Sequence, residues 1–237
     1  MKTKHIFTMI SIILLMSACS QNRKNAQIEL NIVERIGEEI SLYRFYLEYG
    51  KAHMTEVILS GETLLDAIRN PGIHLSDEEI ETHLNKLGWL WLSSTPTNEY
   101  VALINTGEMT LISSEELRRK FKRLVVDQER LKQFEEIQVD YVNRELRPFL
   151  NRHTDRTTLD MHFKSGSLIT NRYPSQFEYT PGEILKSMEF GNILTDVLFF
   201  TRRIMLPYHR IEIVMNEMEE IIARDYPEAN YEAFVPF

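Results

Sequence analysis

Apolar positions recur along this chain at intervals of three and four residues over long stretches, the spacing of one stripe on an α-helix. Over residues 26–70 they include Ile32, Ile36, Ile40, Tyr43, Leu47, Met54, Ile58, Leu65 and Ile68, which predicts a helix roughly 65 Å long at about 1.5 Å per residue. Gly37, Gly50 and Gly61 weaken that helix by about 1 kcal/mol each relative to Ala. Asn70-Pro71-Gly72 ends it. A second stripe runs through 114–146 (Leu117, Phe121, Leu124, Leu131, Ile137, Tyr141, Leu146), and Pro148 is expected to end or kink it. A third occupies 193–224 (Leu194, Leu198, Met205, Tyr208, Ile211, Met215, Met218, Ile222), with Pro207 expected to kink it midway. Shorter helices are expected at 77–92, at 98–106 with Gly107 as a left-handed C-cap, and at 181–190 before Gly191-Asn192.

Three helix starts carry the same signature. Ser76 with Glu79, Ser113 with Glu116 and Thr180 with Glu183 each read as a capping box, flanked by the apolar pairs Leu75/Ile80, Ile112/Leu117 and Tyr179/Ile184. Such a box satisfies two orphan backbone donors reciprocally, and the apolar pair fixes the angle at which the chain enters the helix. Residues 151–179 show no sustained periodicity and are rich in Thr, Ser, Asn and Arg, the pattern of a long loop that is either functional or mobile. No stretch reads as a strand and no repeat is present. The fold class that follows is all-α, an elongated antiparallel helical bundle with three long helices, shorter connecting helices and one long irregular loop.

The N-terminus departs from the amphipathic pattern. Lys2 and Lys4 precede an apolar stretch, Ile6 to Met16, and then the small residues Ser17 and Ala18, the layout of a secretion signal. The stretch is shorter than the about 20 residues of a membrane-spanning helix. The single cysteine, Cys19, follows directly, and Leu15-Met16-Ser17-Ala18-Cys19 resembles the lipobox of bacterial lipoproteins. That resemblance implies cleavage after residue 18 and acylation of Cys19, which anchors the chain firmly. The expected organisation is a signal peptide at 1–18, a polar tether at 19–25 and a single helical-bundle domain at 26–237.

Composition narrows the function classes. With 27 Lys+Arg against 35 Asp+Glu, the formal charge is −8; losing Lys2 and Lys4 with the leader makes it −10. A body this acidic lacks the basic face that nucleic acid requires and is repelled by anionic lipid, so its membrane contact is expected to run through the anchor. One cysteine excludes a disulfide framework.

Two passages carry a further resemblance. Gln21-Asn22-Arg23-Lys24-Asn25 with Glu29, Ile32 and Ile36, and the run from Asn98 through Thr106-Gly107-Glu108-Met109-Thr110-Leu111-Ile112 to Arg118, are similar to an uncharacterised family of membrane-anchored helical proteins of Bacteroidota. Members usually carry a transmembrane helix where this chain has its lipobox-like leader. The resemblance implies a helical fold in the cell envelope and brings no activity, cofactor or catalytic residue.

Candidate chemistry is sparse. His53 with Glu56, His209 with Glu212, and Glu79 with His83 share helical faces. The order in the first two is the reverse of the Glu-x-x-His of di-iron bundles, and solvated polar pairs are expected at all three. His153, Asp155, Asp160 and His162 cluster in the 151–179 loop and supply ligands for a divalent metal if the loop folds back on itself. Arg118-Arg119-Lys120-Phe121-Lys122-Arg123 reads as a solvated helix face around a core Phe. Met205, Met215 and Met218 read as core, Trp89 and Trp91 as one buried and one surface ring, and the end 230–237 as a tail packed on the bundle. No phosphate loop, nucleophile elbow or zinc helix is present, and no catalytic residue, cofactor or resident metal is expected. The function expected is that of a lipid-anchored envelope protein facing the periplasm, whose helical body is a non-catalytic binding, scaffolding or sensory module for a protein partner. The alternative is a metal-binding protein or metal-dependent enzyme using the 151–179 loop.

Overall fold

The computed structural model describes residues 2–90, 92, 98–164, 167–172, 176–177 and 180–231, with side chains for 23–90, 92, 99–157, 176–177 and 180–231. The fold is an all-α helical bundle with one small hairpin. Its helices are α1 (Lys2–Arg69), α2 (Asp77–Leu87), α3 (Asn98–Thr106), α4 (Glu115–Tyr141), α5 (Arg147–His153) and α6 (Met188–Asp225). Helix α1 runs unbroken through residues 19–25, which the sequence suggested as a tether.

The capping boxes fare differently. At α2 the box forms as expected: the Ser76 hydroxyl accepts from the Glu79 N–H at 3.2 Å, and the Ser76 N–H donates to the Glu79 carboxylate at 2.8 Å. The helix stops at Leu87, short of the expected 92, because Gly88 closes it with backbone bonds to Asn85 and Lys86. At α4 the cap sits one residue later than expected. Ser114 accepts from the Leu117 N–H at 3.4 Å, and Glu116 instead pairs with Arg224. Ile112 and Leu117 are nonetheless both buried, so the apolar pair formed where the polar box did not. At 180 no side chain caps, and Pro181–Lys186 is a 3-10 turn rather than the expected helix. Helix α6 then starts at Met188, with the Ser187 hydroxyl accepting from the Phe190 N–H at 3.2 Å. Gly191-Asn192 therefore lie in its first turn and do not break it. Pro207 lies inside α6, where a proline costs one backbone hydrogen bond.

Pro148 does not end its helix. The chain passes from α4 through one π-helical turn, Val142–Leu146, in which the Arg147 N–H reaches back five residues to the Val142 carbonyl, and continues as α5. The wider turn makes room for a ring that would clash with the carbonyl four residues back.

Part of the expected irregular loop is a hairpin, β1 (Leu159–Lys164) against β2 (Ser167–Arg172), antiparallel with Asp160 opposite Asn171 and His162 opposite Ile169. Leu159, Met161 and Phe163 alternate with Asp160, His162 and Lys164. That is a period-two signal overshadowed by the polar composition around it.

The chain forms two compact units, one of Met1–Leu47, Ser94–Glu129 and His209–Phe237, the other of Glu48–Ser93 and Arg130–Tyr208. In the first, Ile32, Ile36, Ile40, Leu103, Phe121 and Met215 are among the fully covered core residues. Within this unit α6 runs antiparallel to α1 and to α4: Glu29 of α1 meets Tyr226 whereas Arg44 meets Asn216 and Glu219, and Glu116 of α4 meets Arg224 whereas Lys120 meets Glu217. The Glu29 carboxylate is its polar hinge, accepting from the Ser113 N–H and hydroxyl at 2.6 Å each and from the Tyr226 hydroxyl at 2.7 Å. The ring of Tyr231 lies over Gly37, where a Cβ would sit 2.5 Å from it, and the Asn230 N–H donates to Glu34 at 3.0 Å. Gly37 thus admits the tail at the cost in helix propensity noted above.

In the second unit the covered core includes Val57, Leu64, Ile80, Leu84, Leu146, Phe149, Phe190 and Leu198. The buried stripe of α1 falls on Val57 and Leu64 rather than on the expected Ile58 and Leu65, which are partly covered. Ile137, expected in the core, is 49% exposed. Buried polar pairs replace it on the inner face of α4: Gln138 donates to Thr201 at 2.8 Å, and the Tyr208 hydroxyl donates to Glu135 at 3.1 Å.

Burial alone would raise the Glu29 carboxyl, but the Ser113 and Tyr226 hydrogen bonds and the Arg118 charge hold it below its ordinary value of 4.5. Its contribution to stability is therefore complete above that ordinary value and is lost as pH falls through the lower folded value. Glu29→Gln is expected to lower unfolding free energy at pH 7 by on the order of 1 kcal/mol, discounted for partial solvation. Urea titrations from pH 3 to 7 should show a smaller acid loss in the variant than in the parent.

Candidate functional site

The residues singled out in the sequence end in different places. Cys19 is in the N-terminal part of α1, and its side chain lies outside the described residues. His209 is exposed and 3.9 Å from Glu212, a solvated pair as expected. His53 is not a solvated partner of Glu56. Its ring stacks between Tyr49 at 6.3 Å and Trp89 at 4.8 Å, and burial lowers its pKa against the pull of Glu56. His83 is similarly lowered, first by burial and then by Lys86, while Glu79 serves the α2 cap. The basic run is largely paired: Arg118 donates to the Ile112 carbonyl, Lys120 meets Glu217 at 2.5 Å and Arg123 meets the buried Asp127 at 2.7 Å. Met215 and Met218 are fully buried core, and Trp91 lies outside the described residues.

Among the described residues of the first unit, one acid is strongly displaced upward. Glu39 of α1 accepts from the Glu99 N–H in the first turn of α3, while its Oε2 is buried without a hydrogen-bond partner. Burial, reinforced by the Glu99 carboxylate, pushes it up to about 7. Arg35 does not relieve it, being engaged with Glu99 at 3.2 Å and Glu108 at 2.8 Å.

The proposed metal ligands are not brought together as a set. His153, the last residue of α5, tilts over Phe149 at 4.4 Å between ring centres. Asp155 folds back on its own turn, accepting from the Thr157 N–H at 3.0 Å and the Thr157 hydroxyl at 2.6 Å. Asp160 and His162 are on β1, their side chains outside the described residues. Among the described residues no group of three His, Cys, Asp or Glu side chains could hold a metal ion.

What α5 and the turn before α6 do form is a cleft of about 770 Å³ in the second unit, within the range of small-molecule sites. Its floor is Phe149 and Ile184, 1% and 4% exposed. Phe149 is held by stacking on Phe190 at 5.6 Å, so the floor is fixed by the core beneath. Phe177, 65% exposed, forms one wall. The rim carries Arg152, His153, Asp155, Glu183 and Lys186. An apolar floor under convergent charged groups suits binding. Only His153 and Asp155 of this set stood out in the sequence as candidate ligands, Glu183 and Ile184 having been read as part of a helix start. Phe149, Arg152, Phe177 and Lys186 carry no motif, and only the turn of the chain between α5 and α6 gathers them.

The displaced acid makes a pH prediction. Since the folded value of Glu39 lies above the ordinary 4.5, its contribution is complete below that value and is lost as pH rises through about 7. Thermal melts from pH 5 to 8.5 should therefore show a decline in Tm that Glu39→Gln largely abolishes. Comparison of the chain with family models, curated proteins and solved structures found no match.

Proposed function

We propose that this protein is a lipid-anchored component of the bacterial cell envelope, held to the membrane through Cys19 and facing the periplasm. Its helical body is a non-catalytic binding module, and its ligand site is the cleft of the second unit. The observation that carries the binding role is the cleft itself, a rigid apolar floor under charged side chains. The leader pattern and the placing of the sole cysteine after Ser17-Ala18 support the anchor. Among the described residues no helix is long and apolar enough to cross a membrane, which is compatible with attachment by acyl chains. Arg23 and Lys24, both exposed on α1 shortly after Cys19, would sit at headgroup level in the anchored chain and meet lipid phosphates. The resemblance to the uncharacterised Bacteroidota family described above fits the same location.

Native mass spectrometry of the protein extracted from its host membranes tests this reading. The expected species starts at Cys19 with added acyl mass and carries a bound molecule or partner chain. An unprocessed Met1 species would overturn the anchor, and an empty, monomeric body would overturn the binding module. A stoichiometric divalent metal lost on replacing His153, Asp155, Asp160 and His162 would favour the metal-binding alternative instead. Cys19→Ser is expected to move the protein from the membrane fraction to the soluble one after cell lysis, read by fractionation and immunoblot.

A further inference from the structure

Charged side chains on the rim of the cleft differ in how fully they are engaged. Asp155 is committed to Thr157 through its Oδ1. Glu183 and Lys186 satisfy each other at 2.6 Å within a single 3-10 turn. Arg152 is held far more loosely: one Nη is 3.4 Å from Glu189, and the two side chains are 58% and 60% exposed. An exposed pair at that distance contributes little, and a guanidinium has five N–H donors in a planar fork. Most of the hydrogen-bonding capacity of Arg152 therefore remains available at the rim. Asp155 and Glu183 are each engaged inside their own turn, by Thr157 and by Lys186, so Arg152 is the most loosely held of these charges. An anion can take two parallel bonds from Arg152.

Rings dominate the apolar part of the cleft. Phe149 and His153 lie 4.4 Å apart with planes tilted by 30°, and Phe177 faces water on the wall. With Phe177 65% exposed beside the buried Phe149 floor, a flat ligand ring can cover apolar surface of both.

We propose that the cleft takes an aromatic carboxylate, its ring packed against Phe177 and the Phe149–His153 pair and its carboxylate held by Arg152. This rests on the cleft being the ligand site of the protein and adds the chemical class of the ligand. Arg152 sets the charge preference, and Phe177 supplies affinity without regard to charge.

The test uses the full chain in lipid nanodiscs, titrated calorimetrically with 2-naphthoate, 2-naphthamide and 2-naphthylmethylamine against empty-nanodisc blanks. The acid is expected to bind once per chain, with the amide and the amine each weaker by about tenfold or more, the loss expected for a charge-assisted bidentate pair. Arg152→Gln should make acid and amide bind alike, and Phe177→Ala should weaken all three probes. Lys186→Gln should leave the preference for the acid intact. All three side chains are exposed, so unchanged melting temperatures are expected and confirm that each variant folds. An amine that binds as tightly as the acid, or an acid preference that survives Arg152→Gln, overturns the charge assignment while leaving the cleft as a site. Failure of all three probes overturns the aromatic class, and the molecule seen in the native mass spectrum then decides separately whether the cleft is the site. Binding of all three probes unaffected by Phe177→Ala would place them elsewhere and overturn the cleft reading itself.

Discussion

A proline in mid-helix is the constraint on which the candidate site depends. Pro148 offers no N–H to the carbonyl four residues back, and its ring would collide with that carbonyl in an unbroken α-helix. The π-helical turn Val142–Leu146 removes the conflict by letting the Arg147 N–H bond five residues back. The helix then survives for two further turns as α5. Those turns carry Phe149, Arg152 and His153, and so supply one floor residue and two rim residues of the cleft. π-Turns are rare and often mark functional sites; here the turn is the local answer to a sequence problem, and the cleft is built on it.

Polar groups at the ends of elements organise the first unit. At the start of α4, the Ser113 and Ser114 N–H groups, which a helix start leaves unsatisfied, go to Glu29 and to the Tyr226 hydroxyl. Glu39 plays the same part at α3, taking the Glu99 N–H. The two carboxylates shift in opposite directions because their surroundings differ. Glu29 collects three donors and a nearby Arg, whereas Glu39 gains one donor and faces a second carboxylate. The two glutamates of one helix thus contribute to the pH dependence of stability with opposite sign.

Much of the fold was legible in the spacing of apolar residues, because a stripe that must be buried repeats at the helical period whatever its eventual partner. Ile32 to Leu47, Leu117 to Leu124 and Tyr208 to Ile222 went where the pattern placed them. Capping was less legible. Ser113 and Glu116 have the right spacing for a box, yet both are claimed by side chains distant in sequence, Glu29 and Arg224. Proline signals were ambiguous for a related reason: Pro148 and Pro207 are tolerated inside long helices whose packed faces outweigh the lost hydrogen bond. Ile137 was misplaced because buried Glu135 and Gln138 occupy its expected side of α4, and polar residues satisfied in a core look like surface residues in a sequence.

By itself, then, the chain determined its helices, their broad lengths and most of the apolar faces they bury, together with an acidic net charge. These are consequences of local periodicity and composition, which need no knowledge of neighbours. Tertiary structure alone decided the partners of Glu29, the displaced titration of Glu39, the stacking of His53 on Trp89 and the cleft between α5 and α6. Each depends on groups far apart in sequence meeting at a few ångströms, and no one-dimensional spacing encodes such a meeting.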